Sequence, residues 1–82
     1  MSVEFETAAR EVKDLSTKPS NEDMLLLYGL YKQSTVGDNT AAAPGMFDFT
    51  GKAKHAAWLA NVGMSCAEAQ TKYIAVVARL KM

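Results

Sequence analysis

One cysteine, Cys66, and one histidine, His55, stand in the whole chain. A single thiol closes no internal disulfide, and one thiolate with one imidazole makes no structural zinc centre, so the fold must hold by packing. Prolines and glycines are few, two and five respectively. β-Branched residues do not cluster, and alanine is abundant, a composition that favours helices over sheet. Neither sign of charge is in excess, with nine basic groups against nine acidic ones. Duplex-binding domains carry a basic surplus, so nucleic acid is disfavoured as a partner. No apolar run reaches the length of a spanning helix, and the first residues lack the pattern of a secretory leader. The expectation is a soluble cytoplasmic protein with no stable membrane insertion. No nucleophile is paired with a base and no metal-ligand spacing occurs, so an enzyme is not expected either.

What is present is apolar material for one core, 49% of 82 residues, and hence a single domain over residues 1–82. Phe5, Ala8, Ala9, Val12 and Leu15 recur at helical spacing and predict a first helix over about residues 3–15. Pro19 stops it, because proline cannot continue the backbone ladder. Ser20 or Asn21 can cap a second helix, which runs to about Val36 and ends at Gly37-Asp38. A connection without periodicity follows to Thr50, broken by Pro44-Gly45. Ala41-Ala42-Ala43 can make a short helical turn there, and Met46, Phe47 and Phe49 are expected to pin the segment to the bundle. A third helix is expected over residues 51–61 with Trp58 and Leu59, ended by Gly63. The box Ser65-Cys66-Ala67-Glu68 opens a fourth, whose face carries Ala69, Tyr73, Val76, Val77 and Leu80. The pattern is all-α: four helices with one long connection between the second and third.

The second helix carries an unusual stripe. At 3.6 residues per turn Met24, Tyr28, Tyr31, Lys32 and Thr35 fall on one side. Two phenols, a thioether and an ammonium suit a ligand with an aromatic base, a phosphate and an apolar part. Lys13 stands four residues after small Ala9, and Lys54 four before Trp58, so that its stem can run over the indole. Several such groups must converge to hold a phosphate, since each charge-assisted hydrogen bond contributes only ~1.5–3 kcal/mol. The same residue types also build bundle cores and solvated faces, and pattern alone leaves both readings open.

Longer blocks go further. Leu27-Tyr28-Gly29-Leu30-Tyr31-Lys32-Gln33-Ser34-Thr35-Val36-Gly37-Asp38, then Pro44-Gly45-Met46-Phe47-Asp48, then Gly51-Lys52-Ala53-Lys54, closely resemble the acyl-CoA-binding protein (diazepam-binding-inhibitor-like) family. The likeness extends from about Glu4 to Leu80 and includes Phe5, Pro19, Trp58, Gly63 and Tyr73. It implies a four-helix up-down-down-up bundle with an overhand connection between helices two and three. It also implies reversible binding of medium- to long-chain acyl-CoA esters by a monomer, without chemistry and without a cofactor. By the same resemblance Tyr28, Lys32 and Lys54 receive the ribose 3′-phosphate, and Tyr31 lies against the adenine. Lys13 and Tyr73 match further nucleotide contacts, while Ala9, Met24 and Leu25 match positions lining the ligand groove.

Two residues depart from the family pattern. His55 stands where the family has Trp, on the ligand side of the third helix, which implies poorer shielding of an acyl chain and a bias to weaker or shorter-chain binding. Thr50 stands where many members carry lysine. An intracellular acyl-CoA carrier is the leading reading. The alternative is a protein-interaction or peptide-precursor role for the same bundle.

Overall fold

The computed structural model describes residues 2–82. Its helices are α1 (Val3–Glu11), continued by a 3-10 turn (Val12–Asp14), α2 (Asn21–Thr35), α3 (Phe49–Leu59) and α4 (Cys66–Leu80). Each α-helix starts at a side chain that satisfies one of its free amides. Ser2 accepts from the Phe5 amide, Ser20 from Asp23, Asp48 from Gly51 and Ser65 from Glu68, at 2.9 to 3.1 Å. The third helix therefore begins two residues before the expected glycine, because Asp48 supplies the cap. The first helix tightens to 3-10 geometry at Val12 and leaves helical angles altogether at Leu15.

Cross-helix contacts give the directions. Ser2 meets Gln70, Phe5 meets Tyr73 and Glu11 meets Lys81, so α1 and α4 run parallel. Asp23 pairs with Arg79, Tyr31 with Tyr73 and Gln33 with Met64, so α2 is antiparallel to α4. Tyr28 meets Lys54, Lys32 meets Trp58, and the Gly37 carbonyl beyond α2 meets the same indole, so α3 lies parallel to α2. This is the up-down-down-up order. Parallel neighbours need the chain to return along their length, which is what residues 36–48 do.

The buried core is built from α1, α2 and α4 alone: Phe5, Ala8, Leu27, Leu30, Ala69, Tyr73 and Val77. No residue of α3 is fully buried. That helix lies on the outer side of α2, where Gly29 lets the backbones approach: a Cβ at Gly29 would collide with the Ala57 carbonyl. The overhand segment is tied at its start, through Asp38, to the end of α2 and to the turn between α3 and α4. Gln33 donates to Asp38 and to the Met64 carbonyl, both at 2.8 Å, and the Gly63 amide donates to Asp38 at 2.9 Å. Gly37 and Gly63, at φ 98° and 88°, make the left-handed turns that this crossing requires.

Two expectations for the connection are corrected. Ala41-Ala42-Ala43 forms no helical turn. Asn39 is buried there, accepting from the Ala41 amide and donating to the His55 carbonyl, and Pro44 biases Ala43 away from helix. Met46, Phe47 and Phe49 do not pin the segment; they are 73, 83 and 73% exposed. The three-helix core is closed without them, and the α3 surface turned to α2 at Gly29 is small Ala57.

Candidate functional site

A groove with two lobes follows the exposed side of α2. The first lobe, about 280 Å³, takes Ala9, Val12 and Lys13 from the first helical segment. Met24, Leu27, Tyr28 and Tyr31 of α2 form its floor, and Tyr73 of α4 its far wall. The second lobe, about 380 Å³, lies between α2 and the start of α3. Asn21, Met24, Leu25 and Tyr28 form one side, and Phe49, Thr50, Ala53 and Lys54 the other. Met24 and Tyr28 belong to both lobes, so they make the ridge that joins them.

The phenols of the first lobe are held by packing. Phe5 lies stacked 5.7 Å from Tyr31 and edge-on 5.1 Å from Tyr73, and the two tyrosine rings are 6.0 Å apart. This geometry is favourable for aromatic pairs and fixes both rings from behind. Tyr73 is 4% exposed while Tyr31 is 41% exposed, so one is anchored and the other presents its face. Burial, with a smaller effect from the Tyr31 phenol, pushes the Tyr73 hydroxyl above its ordinary pKa. It is a neutral O–H donor at any physiological pH.

The lysines are held over rings. Lys32 Nζ sits 4.9 Å from the centre of Trp58, and Lys54 Nζ 5.4 Å from the centre of Tyr28. The ring under Lys54 is thus the tyrosine, whereas the indole that spacing had offered it lies under Lys32. Trp58 is locked in place by its indole N–H, which donates to the Gly37 carbonyl at 2.8 Å. Among the described residues the three ion pairs use Lys72, Arg79 and Lys81. Lys13, Lys32 and Lys54 take part in none of them, so their charge is not committed to a carboxylate. Three cations beside phenols and an indole, next to an apolar trench, match a ligand with phosphates, a flat base and a hydrocarbon part.

The residues singled out in the sequence divide as follows. Ala9, Lys13, Met24, Tyr28, Tyr31 and Tyr73 line the first lobe, and Met24, Leu25, Tyr28 and Lys54 the second. Lys32 lines neither but sits one turn after Tyr28, over Trp58. His55 is the residue the structure sets apart. Its Nε2–H donates to the Ala41 carbonyl at 3.0 Å, its own carbonyl accepts from Asn39, and it lines neither lobe. The ring is occupied in holding the overhand segment to α3 instead of facing the trench. Missed in the sequence were Val12, Leu27, Asn21 and Ala53, and Phe49 was assigned to loop packing. Ala53 and Phe49 stand one helical turn and two turns from Ala57, the contact with α2, a register readable only once Gly29 is known to face Ala57.

The chain is similar to known proteins over nearly its whole length. The family pattern described as "Acyl CoA binding protein" matches residues 2–77. "Acyl-CoA-binding protein homolog 1" of Caenorhabditis elegans is 51% identical over 80 residues, covering 98% of this chain and 93% of the relative. "Acyl-CoA-binding protein" of Brassica napus is 52% identical over 77 residues, covering 94% of this chain and 84% of the relative. The crystal structure of Oryza sativa acyl-CoA-binding protein 2 superposes with a TM-score of 0.89 at 49% identity, covering 94% of this chain and 86% of that one. With the pattern spanning almost the full length and half the residues shared, the chain belongs to the acyl-CoA-binding protein family.

Proposed function

We propose that this protein binds medium- to long-chain acyl-CoA thioesters reversibly, as a monomeric cytoplasmic carrier that performs no chemistry on them. The observation that carries the reading is the pairing of two unlike lobes across the Met24–Tyr28 ridge. The first lobe suits the nucleotide, with Tyr31 against the base and Lys13 and Tyr73 completing the contacts, while Tyr28 on the ridge, Lys54 at the trench mouth and Lys32 one turn beyond would receive the 3′-phosphate. The trench of Met24, Leu25, Phe49 and Ala53 suits the acyl chain. Family membership supports the same ligand. Anchor and trench act differently: the anchor sets whether coenzyme A is held, the trench how tightly each chain length is held.

Two methylenes fully buried in the trench would tighten binding roughly 15-fold, at ~0.8 kcal/mol each. A cytoplasmic setting agrees with the exposed, unpaired thiol of Cys66, which suits a reducing compartment. The peptide-precursor alternative has no comparable feature to support it. Calorimetric titration with a series of acyl-CoA esters, and with free coenzyme A, tests the reading. Lys32→Ala is expected to weaken palmitoyl-CoA by about 2–4 kcal/mol, as truncation of one partner of a desolvated charge pair does. A loss below about 0.5 kcal/mol would remove Lys32 from the anchor.

A further inference from the structure

The trench between α2 and α3 is not apolar throughout. Its mouth lies where the Lys54 ammonium sits over Tyr28, 5.4 Å from the ring centre. The two helices run back from there in parallel, with Leu25 and Ala53 as apolar walls. Thr50 stands four residues before Lys54 and Asn21 seven before Tyr28, which the helical rise converts to about 6 and about 10 Å from the mouth. A hydroxyl and a side-chain amide thus line the outer end, one on each wall. Neither serves as a helix cap, because Ser20 caps α2 and Asp48 caps α3. Both residues are exposed in the free protein, where water satisfies them.

An acyl chain laid along the trench displaces that water. A saturated chain offers nothing in its place, whereas a hydroxyl on the chain can donate to the Asn21 side-chain oxygen and accept from the Thr50 hydroxyl. A covered polar group left without a partner costs more than a made hydrogen bond gains. Such a site therefore discriminates mainly against the chain that lacks the oxygen. The matching oxygen is neutral. Glu22 and Asp23 occupy the first turn of α2 and Asp48 the start of α3, so carboxylates already meet the positive ends of both helices. We propose that the outer end of the trench selects acyl-CoA esters whose chain carries a hydroxyl group, read by Asn21 and Thr50. An extended chain advances roughly 1.2 Å per bond, so the hydroxyl belongs about five to eight carbons inside the mouth and not beside the thioester.

The proposal rests on the carrier reading and deepens it. Calorimetric titration compares esters of one chain length: decanoyl-CoA, its 3-hydroxy and 10-hydroxy forms, and the mono-CoA ester of decanedioic acid. Native protein is expected to hold the 10-hydroxy form roughly three- to tenfold tighter than each of the others. The double substitution Asn21→Leu with Thr50→Val should reverse the order in favour of decanoyl-CoA, and each single substitution should remove part of the preference. Both positions are exposed and neither caps a helix, so the variants fold. The ratio of affinities is the readout, since these substitutions also alter the trench for a plain chain. Equal binding of decanoyl-CoA and its 10-hydroxy form by native protein overturns the assignment, as does a preference that survives the double substitution. Tighter binding of the diacid ester overturns it too, since the end of the trench would then read an anion. A parallel titration with palmitoyl-CoA separates the two readings. Tight palmitoyl-CoA binding without a hydroxyl preference leaves the carrier reading standing alone, whereas failure of every ester to bind overturns the carrier reading and this one with it.

Discussion

Lys32 and Lys54 rest on aromatic faces, which is an inexpensive way to store a cation. An ammonium over a ring at an exposed site gains roughly 0.5–1 kcal/mol. A carboxylate partner would instead have to be displaced by any incoming phosphate. The rings therefore hold the charges in place without neutralising them, and each is itself fixed, Trp58 by the Gly37 carbonyl and Tyr28 by its position on the ridge. The same residue-by-residue reading changes what His55 is expected to do. In the sequence it stands in place of a family tryptophan and promises a weakened acyl site. In the structure its ring donates to the Ala41 carbonyl and the trench beside it is built from other side chains. His55→Trp is therefore predicted to leave palmitoyl-CoA affinity within about twofold, because a ring outside the trench changes little buried area. It should lower thermal stability instead, by roughly 0.5–1.5 kcal/mol, the value of the lost tether. Titration and thermal melts of the pair check this, and a tenfold gain in affinity would put the residue back in the site.

Helices that carry their own caps and periodicity were legible, and the pieces between them were not. Ser20 and Ser65 stood at the expected caps, and the α4 face of Ala69, Tyr73 and Val77 went into the core as its spacing required. The groove along α2 was legible for the same reason, since one stripe of one helix carries Met24, Tyr28 and Tyr31, whereas Lys32 on that stripe lines neither lobe. The start of α3, the lack of a helical turn at Ala41-Ala42-Ala43 and the exposure of Phe47 were missed because each depends on a tertiary partner: Asp48 at Gly51, Asn39 at His55, and a core already closed by three helices. Asp38 shows what such partners contribute. The Gly63 amide, and after it the Gln33 side chain, hold its carboxyl below the ordinary value near 3.8. Asp23 is likewise lowered by Arg79. A carboxyl with a depressed folded pKa keeps its stabilisation above the unfolded value and loses it as pH falls through the folded one, because the unfolded chain takes up the proton first. Stability should therefore drop on acidification below the usual carboxylate range. Asp38→Asn should make that slope shallower, with Asp23 supplying what remains. Urea denaturation at a series of pH values measures it, and equal slopes in the two proteins would show that the turn between α3 and α4 does not report through Asp38.

At the scale of the molecule, the bundle is three helices around a core with a fourth laid against one of them. No side chain of α3 is fully buried, and the core lies entirely in α1, α2 and α4. Few buried apolar contacts mean a low free energy of local opening, so α3 should detach more readily than the rest unfolds. Yet α3 carries Lys54 and one whole side of the trench, so the element expected to open most readily forms half of the proposed ligand site. A ligand spanning the trench binds only when α3 is docked, and it must stabilise that state by mass action, by ~2.7 kcal/mol at a hundredfold excess over its Kd. Amide exchange can read this element by element. In the free protein, amides of residues 49–59 should exchange about tenfold faster or more than those of the core-facing parts of α2 and α4. Palmitoyl-CoA should close most of that gap, and free coenzyme A, which leaves the trench empty, should close less of it. Protection in α3 equal to that in α4 before any ligand is added would mean that Gly29 and Ala57 bind the two helices more firmly than their small contact implies. The anchor and trench would then be a preformed site, not one completed by its ligand.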